Sequence, residues 1–281
     1  MGAPNDIQKV IQALGVGFYP TQLKWLWDSS PSIIIEKARK TGLSWTVARR
    51  AVRRVIGMER RPDGSIFAGK PHKFYYLSAN EDRAKEWMDE MVSPVVLGID
   101  EALKRSDAGI YFFKKPNKDV KTERVEFTGL PGKLKIVAMT ANPDTSRGPD
   151  GDTVFDEFAF VRAPEKLYDA GMGITTMGHA LIVNSTHDGP NTLFAELCER
   201  KRNDPDWSWY RHTIEDARRE GMYTAEQVRQ IRARCRSEAH FQQDYMCEPI
   251  RAGACVFDRG ALDEAYKRTK DPIEEYWRRA A

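Results

Sequence analysis

The chain has 281 residues, 41% of them hydrophobic and 30% charged, with a formal net charge of +3. Those proportions belong to a globular chain able to bury one large core or two smaller ones, and they exclude a disordered polymer. So small a charge gives no argument for nucleic-acid binding, and no apolar run approaches the ~20 residues that cross a bilayer.

In chain order, residues 5–30 read as helical, interrupted at Gly15-Val16-Gly17. The opening, MGAPNDIQKV, lacks the apolar stretch of a secretion signal, so a cytoplasmic location is expected. Phe18-Tyr19-Pro20-Thr21-Gln22 follows, where Pro20 can open a short helix. Gln22 then either offers its amide, donor and acceptor together, to the edge of an adenine or lies exposed on that helix.

Ile33-Ile34-Ile35 reads as a strand, residues 37–44 as a polar turn, and residues 45–56 as an amphipathic helix. Strand, loop and helix in that order are the setting of a phosphate-binding loop, G-x-x-x-x-G-K-[ST]. Gly42 and Ser44 fill the second glycine and the hydroxyl position. Leu43 stands where the lysine belongs, and Lys37 stands where the first glycine belongs. The cation has moved to the other end of the loop. On the helix, Val47, Ala48, Ala51, Val52 and Val55 share one side and arginines the other. Arg49, Arg50, Arg53, Arg54, Arg60 and Arg61 are read as a solvated face in preference to a DNA contact.

Residues 57–72, with Pro62-Asp63-Gly64, read as a loop and residues 73–78 as an aromatic strand. Asn80 is placed to cap a helix running to about Lys104, with a break expected near Pro94. Short strands at 110–113, 124–127 and 134–139 suggest an antiparallel hairpin added to the sheet. Thr153-Val154-Phe155-Asp156-Glu157 is a short apolar strand ending in two acids. It is either a Walker B element, whose aspartate holds Mg²⁺ while the glutamate orients water, or a surface turn. Its apolar flanks favour the sheet edge.

A helix at 163–171 and a strand at 180–184 follow. The strand ends in Ser185-Thr186-His187, at the edge where open α/β sheets bind ligands. A helix at 191–201, a strand at 207–214 and helices at 225–236 and 238–245 complete the pattern. The tail from Cys247 carries less of it, apart from a helical end at Tyr276-Trp277-Arg278-Arg279. Cys198, Cys235, Cys247 and Cys255 form no C-x-x-C pair, so neither a disulfide framework nor a zinc site is expected. The fold class is α/β of the P-loop NTPase type: a mostly parallel central sheet flanked by helices, with the added hairpin. The ATPase domain is expected over 1–246, after a helical lead-in, with 247–281 as a linker or the start of a second domain.

Taken together, the segments from Tyr19 to Pro249 resemble the ATPase half of the large terminase subunit, the DNA-packaging motor of tailed bacteriophages. The ordered motifs are Tyr19-Pro20-Thr21-Gln22, then residues 37–44 with the early lysine that some terminases carry. Tyr76-Leu77-Ser78-Ala79 comes next, then the run from Ala141 through Arg147-Gly148 into Asp156-Glu157. Asn184-Ser185-Thr186-His187-Asp188-Gly189 and Phe241-Gln242-Gln243-Asp244-Tyr245 close the series.

The resemblance implies an ATPase that moves double-stranded viral DNA into a procapsid in the host cytoplasm, with ATP and Mg²⁺. Portal protein and small terminase subunit are the implied partners, and the assembled form is a ring of identical subunits, monomeric in isolation. Backbone groups of Thr41, Gly42, Leu43 and Ser44 would cradle phosphates. Gln22 would sit on the adenine side. Lys37 would reach the β- and γ-phosphates with support from Arg39. Ser44 and Asp156 would hold the metal, and Glu157 would act on water. Ser185 and Thr186 would border the nucleotide. Arg147 resembles an arginine finger offered to a neighbouring subunit, with a salt-bridge arginine as the alternative. The family's nuclease domain has no carboxylate constellation here, so nuclease activity is not expected. Two other readings stand beside the motor: another P-loop translocase or helicase relative, and a component that binds nucleotide without hydrolysing it.

Overall fold

A computed structural model describes residues 17–104, 112–114, 122–127, 132–141, 150–175 and 177–250. The chain divides into two units, 1–250 and 251–281, and the described residues fall in the first. The sequence expectations for residues 1–16, for Arg147 and for the chain beyond Ile250 lie outside the described residues.

Helix α1 (Pro20–Trp27) opens on the proline, whose missing N–H costs nothing in a first turn. Strand β1 (Ser32–Lys37) is buried along its whole length, as befits a strand covered on both faces. Its isoleucines alternate: Ile33 and Ile35 pack toward one layer, with Val47 and Trp87, and Ile34 toward the other, with Phe155 and Phe194. The turn then feeds α2 (Leu43–Val55).

The stretch read as a loop after α2 contains a small hairpin, β2 (Met58–Arg60) with β3 (Ile66–Ala68). Strands of three residues are too short to leave a period in the sequence. β4 (Phe74–Ser78) leads to Asn80, whose side chain accepts the Arg83 N–H and caps α3 (Glu81–Glu86). The expected break before Pro94 is instead a π-helical stretch, Trp87–Val92, continuing into α4 (Ser93–Lys104). The Ser93 amide reaches back to the Met88 carbonyl, five residues away. Widening the helix there accommodates a proline that lacks an N–H and crowds the preceding turn.

β5 (Phe112–Lys114), β6 (Thr122–Phe127) and β7 (Leu134–Thr140) follow, then β8 (Asp152–Asp156), α5 (Pro164–Thr175) and β9 (Leu181–Ser185). α6 (Leu193–Lys201), β10 (Ser208–His212), α7 (Ile214–Arg219), α8 (Ala225–Arg234) and α9 (Glu238–Met246) complete the described order. α7 begins at Ile214, inside the stretch 207–214 expected as strand. Its boundary is a capping box in which Thr213 and Asp216 satisfy each other's backbone N–H groups.

The sheet runs β10-β1-β9-β8-β4-β7-β6-β5. All pairs from β10 to β7 are parallel, and β7-β6 and β6-β5 are antiparallel. The mostly parallel α/β fold with an antiparallel addition is therefore as expected. Because the six parallel strands point the same way, Lys37, Ser78, Asp156 and Ser185 all arrive at one rim.

Of the arginines read as a solvated face, Arg60 and Arg61 are exposed, but Arg50, Arg53 and Arg54 on α2 are not. Arg50 and Arg53 are almost completely buried. Arg50 donates to the Trp25 carbonyl at 2.7 Å, Arg53 to the Met58 carbonyl at 2.7 Å and Glu59 Oε2 at 2.8 Å, and Arg54 pairs with Asp152 and Glu59. The hairpin and α1 cover this side of the helix. Arg50 and Arg53 each meet a carbonyl or carboxylate through one nitrogen, while Arg50 Nε and Arg53 Nε and Nη2 are buried without a hydrogen-bond partner among the described residues. Burial pushes Arg50 down to about 10, which leaves it charged at neutral pH.

Candidate active site

The turn between β1 and α2 is held by its carbonyls. Thr41 Oγ1 donates to the Ala38 carbonyl at 3.0 Å, Tyr223 to the Lys40 carbonyl at 2.8 Å and Gln22 Nε2 to the Thr41 carbonyl at 3.1 Å. Lys40 and Gly42 both take left-handed conformations, with φ of 60° and 73°. That bend places Gly42 at the cap of α2, whose first-turn N–H groups have no intrahelical acceptor. A helix start with free amides and a positive dipole end is an anion site by construction.

Across the rim, β8 ends at Asp156 and the chain turns sharply. Glu157 sits at φ 55°, ψ 44°, a left-handed conformation that a non-glycine residue adopts at a cost of about 1–2 kcal/mol. The end of β9 supports it, where Ser185 Oγ accepts the Ala159 N–H at 3.1 Å. The result aims Glu157 Oε1 at Lys37 Nζ, 2.8 Å away, with the Arg83 guanidinium at 3.8 Å.

Lys37, Arg39, Thr41, Gly42, Leu43, Ser44, Asp156, Glu157 and Thr186 all border one open cleft of about 700 Å³. Ser44 Oγ donates to Asp156 Oδ2 at 3.2 Å, the Glu157 amide to Asp156 Oδ1 at 3.0 Å, and the Tyr76 hydroxyl also donates to Oδ2. Burial works against the Lys37 ammonium, but Glu157 and Asp156 hold it above its ordinary value. Burial would raise Glu157 too, yet Lys37 and Arg83 hold it below the usual glutamate range. Asp156 goes the other way: burial raises it, and the charge of Glu157 adds to the rise against the pull of Lys37. No cation among the described residues closes to ion-pair distance of Asp156. A buried carboxylate with a serine hydroxyl beside it, hydrogen-bonded yet lacking a direct counter-ion, is a donor set that fits a hard divalent cation.

Two sequence-predicted residues, Gln22 and Ser185, sit elsewhere than expected. Gln22 is neither exposed nor in the cleft: it is buried behind the loop, accepting the Tyr19 N–H and donating to Thr41. Ser185 lies fully buried beneath the Glu157 turn. Leu43 borders the cleft, but its side chain belongs to the core with Trp25, Ile33 and Ile35. Arg39 is half exposed and pairs with Asp244 at 3.3 Å.

The structure adds Tyr76, Trp87 and Arg83. Tyr76 and Trp87 stack at 4.0 Å and 3°, and the Trp87 indole donates to the Ser44 carbonyl at 2.9 Å. Together they join the acid strand to the loop. Arg83 had one available signal: it stands in the first turn after β4, at the strand edge where α/β sheets bind ligands.

The model of the family "Terminase large subunit, T4likevirus-type, N-terminal" matches residues 34–263. The chain belongs to this terminase large-subunit family. It is 29% identical over 209 residues to the probable terminase large subunit gp28 of Escherichia phage Mu, covering 73% of this chain and 36% of that protein. It is 28% identical over 205 residues to the Mu-like prophage FluMu protein gp28 of Haemophilus influenzae, covering 72% and 37%. The chain thus spans about a third of the length of these curated relatives. Among solved structures, the large terminase ATPase domain of Thermus phage P74-26 is similar at TM-score 0.60 and 17% identity, covering 85% of this chain and 97% of that one. The ADP complex of the large terminase of the thermophilic bacteriophage D6E is similar at TM-score 0.56 and 14% identity, covering 82% and 53%. For this terminase chain, those likenesses establish the fold; no helix among its described residues is long and apolar enough to cross a membrane.

Proposed function

We propose that this chain binds and hydrolyses ATP as the engine of a viral DNA-packaging motor. The observation that carries the reading is the meeting of Lys37 with Glu157, beside Ser44 and Asp156, in one cleft headed by a helix N-terminus. Lys37 and Glu157, the two catalytic candidates, neutralise each other across 2.8 Å. A triphosphate entering the loop competes for the Lys37 ammonium, and Glu157, held ionised, is released to accept a proton from water. The α2 amides and Lys37 orient the phosphates, while Arg83 keeps Glu157 charged once Lys37 has turned away. Ser44 and Asp156 would hold Mg²⁺, which would supply charge neutralisation at the phosphate oxygens.

The family supports the larger setting: double-stranded DNA as the cargo, portal protein and small terminase subunit as partners, assembly in the host cytoplasm, and a ring in which Arg147 serves the neighbouring subunit. Gln22 acts in this reading on the loop rather than on the base. The domain division at residue 246 belongs to the same proposal.

Phosphate release by Glu157→Gln tests it. Nucleotide affinity should persist while turnover falls by about 10²–10⁴-fold. Equal, absent turnover in wild type and variant, with DNA and portal present, would favour a nucleotide binder without hydrolysis. Strand unwinding by the chain would favour a helicase.

A further inference from the structure

At the opposite rim of the sheet, the N-terminal ends of three adjacent parallel strands bring together His72, Asp152 and His179. His72 precedes β4, Asp152 opens β8 and His179 precedes β9, and β4, β8 and β9 are neighbours in that order. His72 Nδ1 lies 3.3 Å from His179 Nδ1 and 3.5 Å from Asp152 Oδ1; His179 Nδ1 lies 4.0 Å from the same oxygen. All three residues are largely buried, and the two rings stand at 85°. Zinc bound at about 2.0–2.1 Å with tetrahedral angles separates its donor atoms by roughly 3.3–3.4 Å. The two separations from His72, 3.3 and 3.5 Å, are close to that, and the third, 4.0 Å, is longer.

The surroundings fit the same ligand. Asp150 Oδ1 lies 3.3 Å from His179 Nε2, and a carboxylate there requires Nε2 to carry the proton. The His179 Nδ1 lone pair is thereby turned toward His72 and Asp152, in the carboxylate–histidine arrangement that supports metal ligands. Arg54 Nε pairs with Asp152 Oδ2, while Oδ1 accepts the Arg54 Nη2–H at 3.3 Å and the Ala180 amide at 2.9 Å and also faces the imidazoles. Without a cation, one proton at most can lie between the two facing Nδ1 atoms.

We propose that His72, Asp152 and His179 bind a zinc-class transition-metal ion that ties β4, β8 and β9 together at the rim away from the nucleotide cleft. Its ligands are histidine and aspartate, so the cysteine spacing that argues against a zinc site does not bear on it.

Co²⁺ titration of the full chain, followed by visible absorption with excess Mg²⁺ present to occupy hard-oxygen sites, tests this. Wild type should take up one equivalent with the spectrum of a tetrahedral nitrogen–oxygen site, displaced by Zn²⁺. His72→Gln/His179→Gln should lose that equivalent, while Cys198→Ser, which disrupts the separate buried group Glu36, His187 and Cys198, should retain it. Asp150→Asn alters an exposed residue outside the ligand set and should weaken Co²⁺ by about tenfold or more. Uptake unchanged in the double histidine variant, or lost in Cys198→Ser instead, overturns the assignment. Should the double variant fail to fold, unchanged affinity in Asp150→Asn overturns it alone.

Discussion

Lys37 and Glu157 are separated by 120 positions in the chain, yet their charged atoms lie 2.8 Å apart. Sheet order makes this possible. β1 and β8 are separated only by β9, so their C-terminal ends stand at one rim, and the left-handed turn at Glu157 swings its carboxylate across the intervening strand.

The position of the cation is open to direct test. Lys37→Ala should abolish nucleotide binding or turnover in equilibrium titration and phosphate-release assays. Restoring the consensus lysine by Leu43→Lys should not rescue it. Leu43 is 2% exposed in the core, and an ammonium there should lower the melting temperature by several degrees or more. Full activity in Lys37→Ala would refute the placement.

Gly42 and Gln22 form a coupled pair. A Cβ on Gly42 would lie 2.5 Å from Gln22 Nε2, on a backbone at φ 73°. Gly42→Ala should destabilise the protein by about 1–2 kcal/mol or more and weaken nucleotide binding. Adding Gln22→Ala removes the clash but not the backbone cost. A double-mutant cycle on thermal stability should therefore show partial recovery. Strict additivity would mean that the two do not touch.

Arg53 is fully buried, and its loss leaves Glu59 without one of its two cations and the Met58 carbonyl without its donor. Arg53→Ala should cost about 3–5 kcal/mol in chemical denaturation. Nucleotide affinity of the fraction that remains folded should stay near wild type, since Arg53 does not border the cleft. A loss below 1 kcal/mol would return the arginine to the solvated face read from sequence.

Asp28 gives the acid limb of stability a testable component. Burial raises its pKa, but hydrogen bonds from Ser30 and Tyr210 and the charge of Arg50 outweigh it, so the folded value lies below the ordinary one. A lowered folded pKa contributes stability that is fully present above the unfolded value of about 3.9 and is lost as pH falls through the folded value. Asp28→Asn should thus melt earlier than wild type at neutral pH, with the gap closing below about pH 4. A gap that stays constant across that range would remove Asp28 from the account.

Arg147→Ala separates the finger from the salt bridge. In a finger acting between subunits, nucleotide affinity of the isolated chain should be unchanged while assembly-dependent hydrolysis falls by about 10³-fold or more. Unchanged turnover in the assembled motor would assign Arg147 to a salt bridge.

Amino-acid order alone determined the local pieces: the strand–loop–helix around Gly42 and Ser44, the displaced lysine, the acid pair closing an apolar strand, and the cap at Asn80. Each is written in residues a few positions apart, where period and turn chemistry act directly on the backbone. Tertiary structure alone decided which of those pieces meet. The arginines of α2 look like a wet face to any helical period, because the period cannot register that α1 and a hairpin of three-residue strands lie over them. Gln22 reads by itself as exposed, and as ligand-facing only beside the family's motifs, until the loop carbonyl it braces is in place. Tyr76, Trp87 and Arg83 join the cleft, and His72, Asp152 and His179 gather at the far rim, only through strand order. Strand order follows from how the whole sheet buries its two faces, and no stretch of sequence contains that choice.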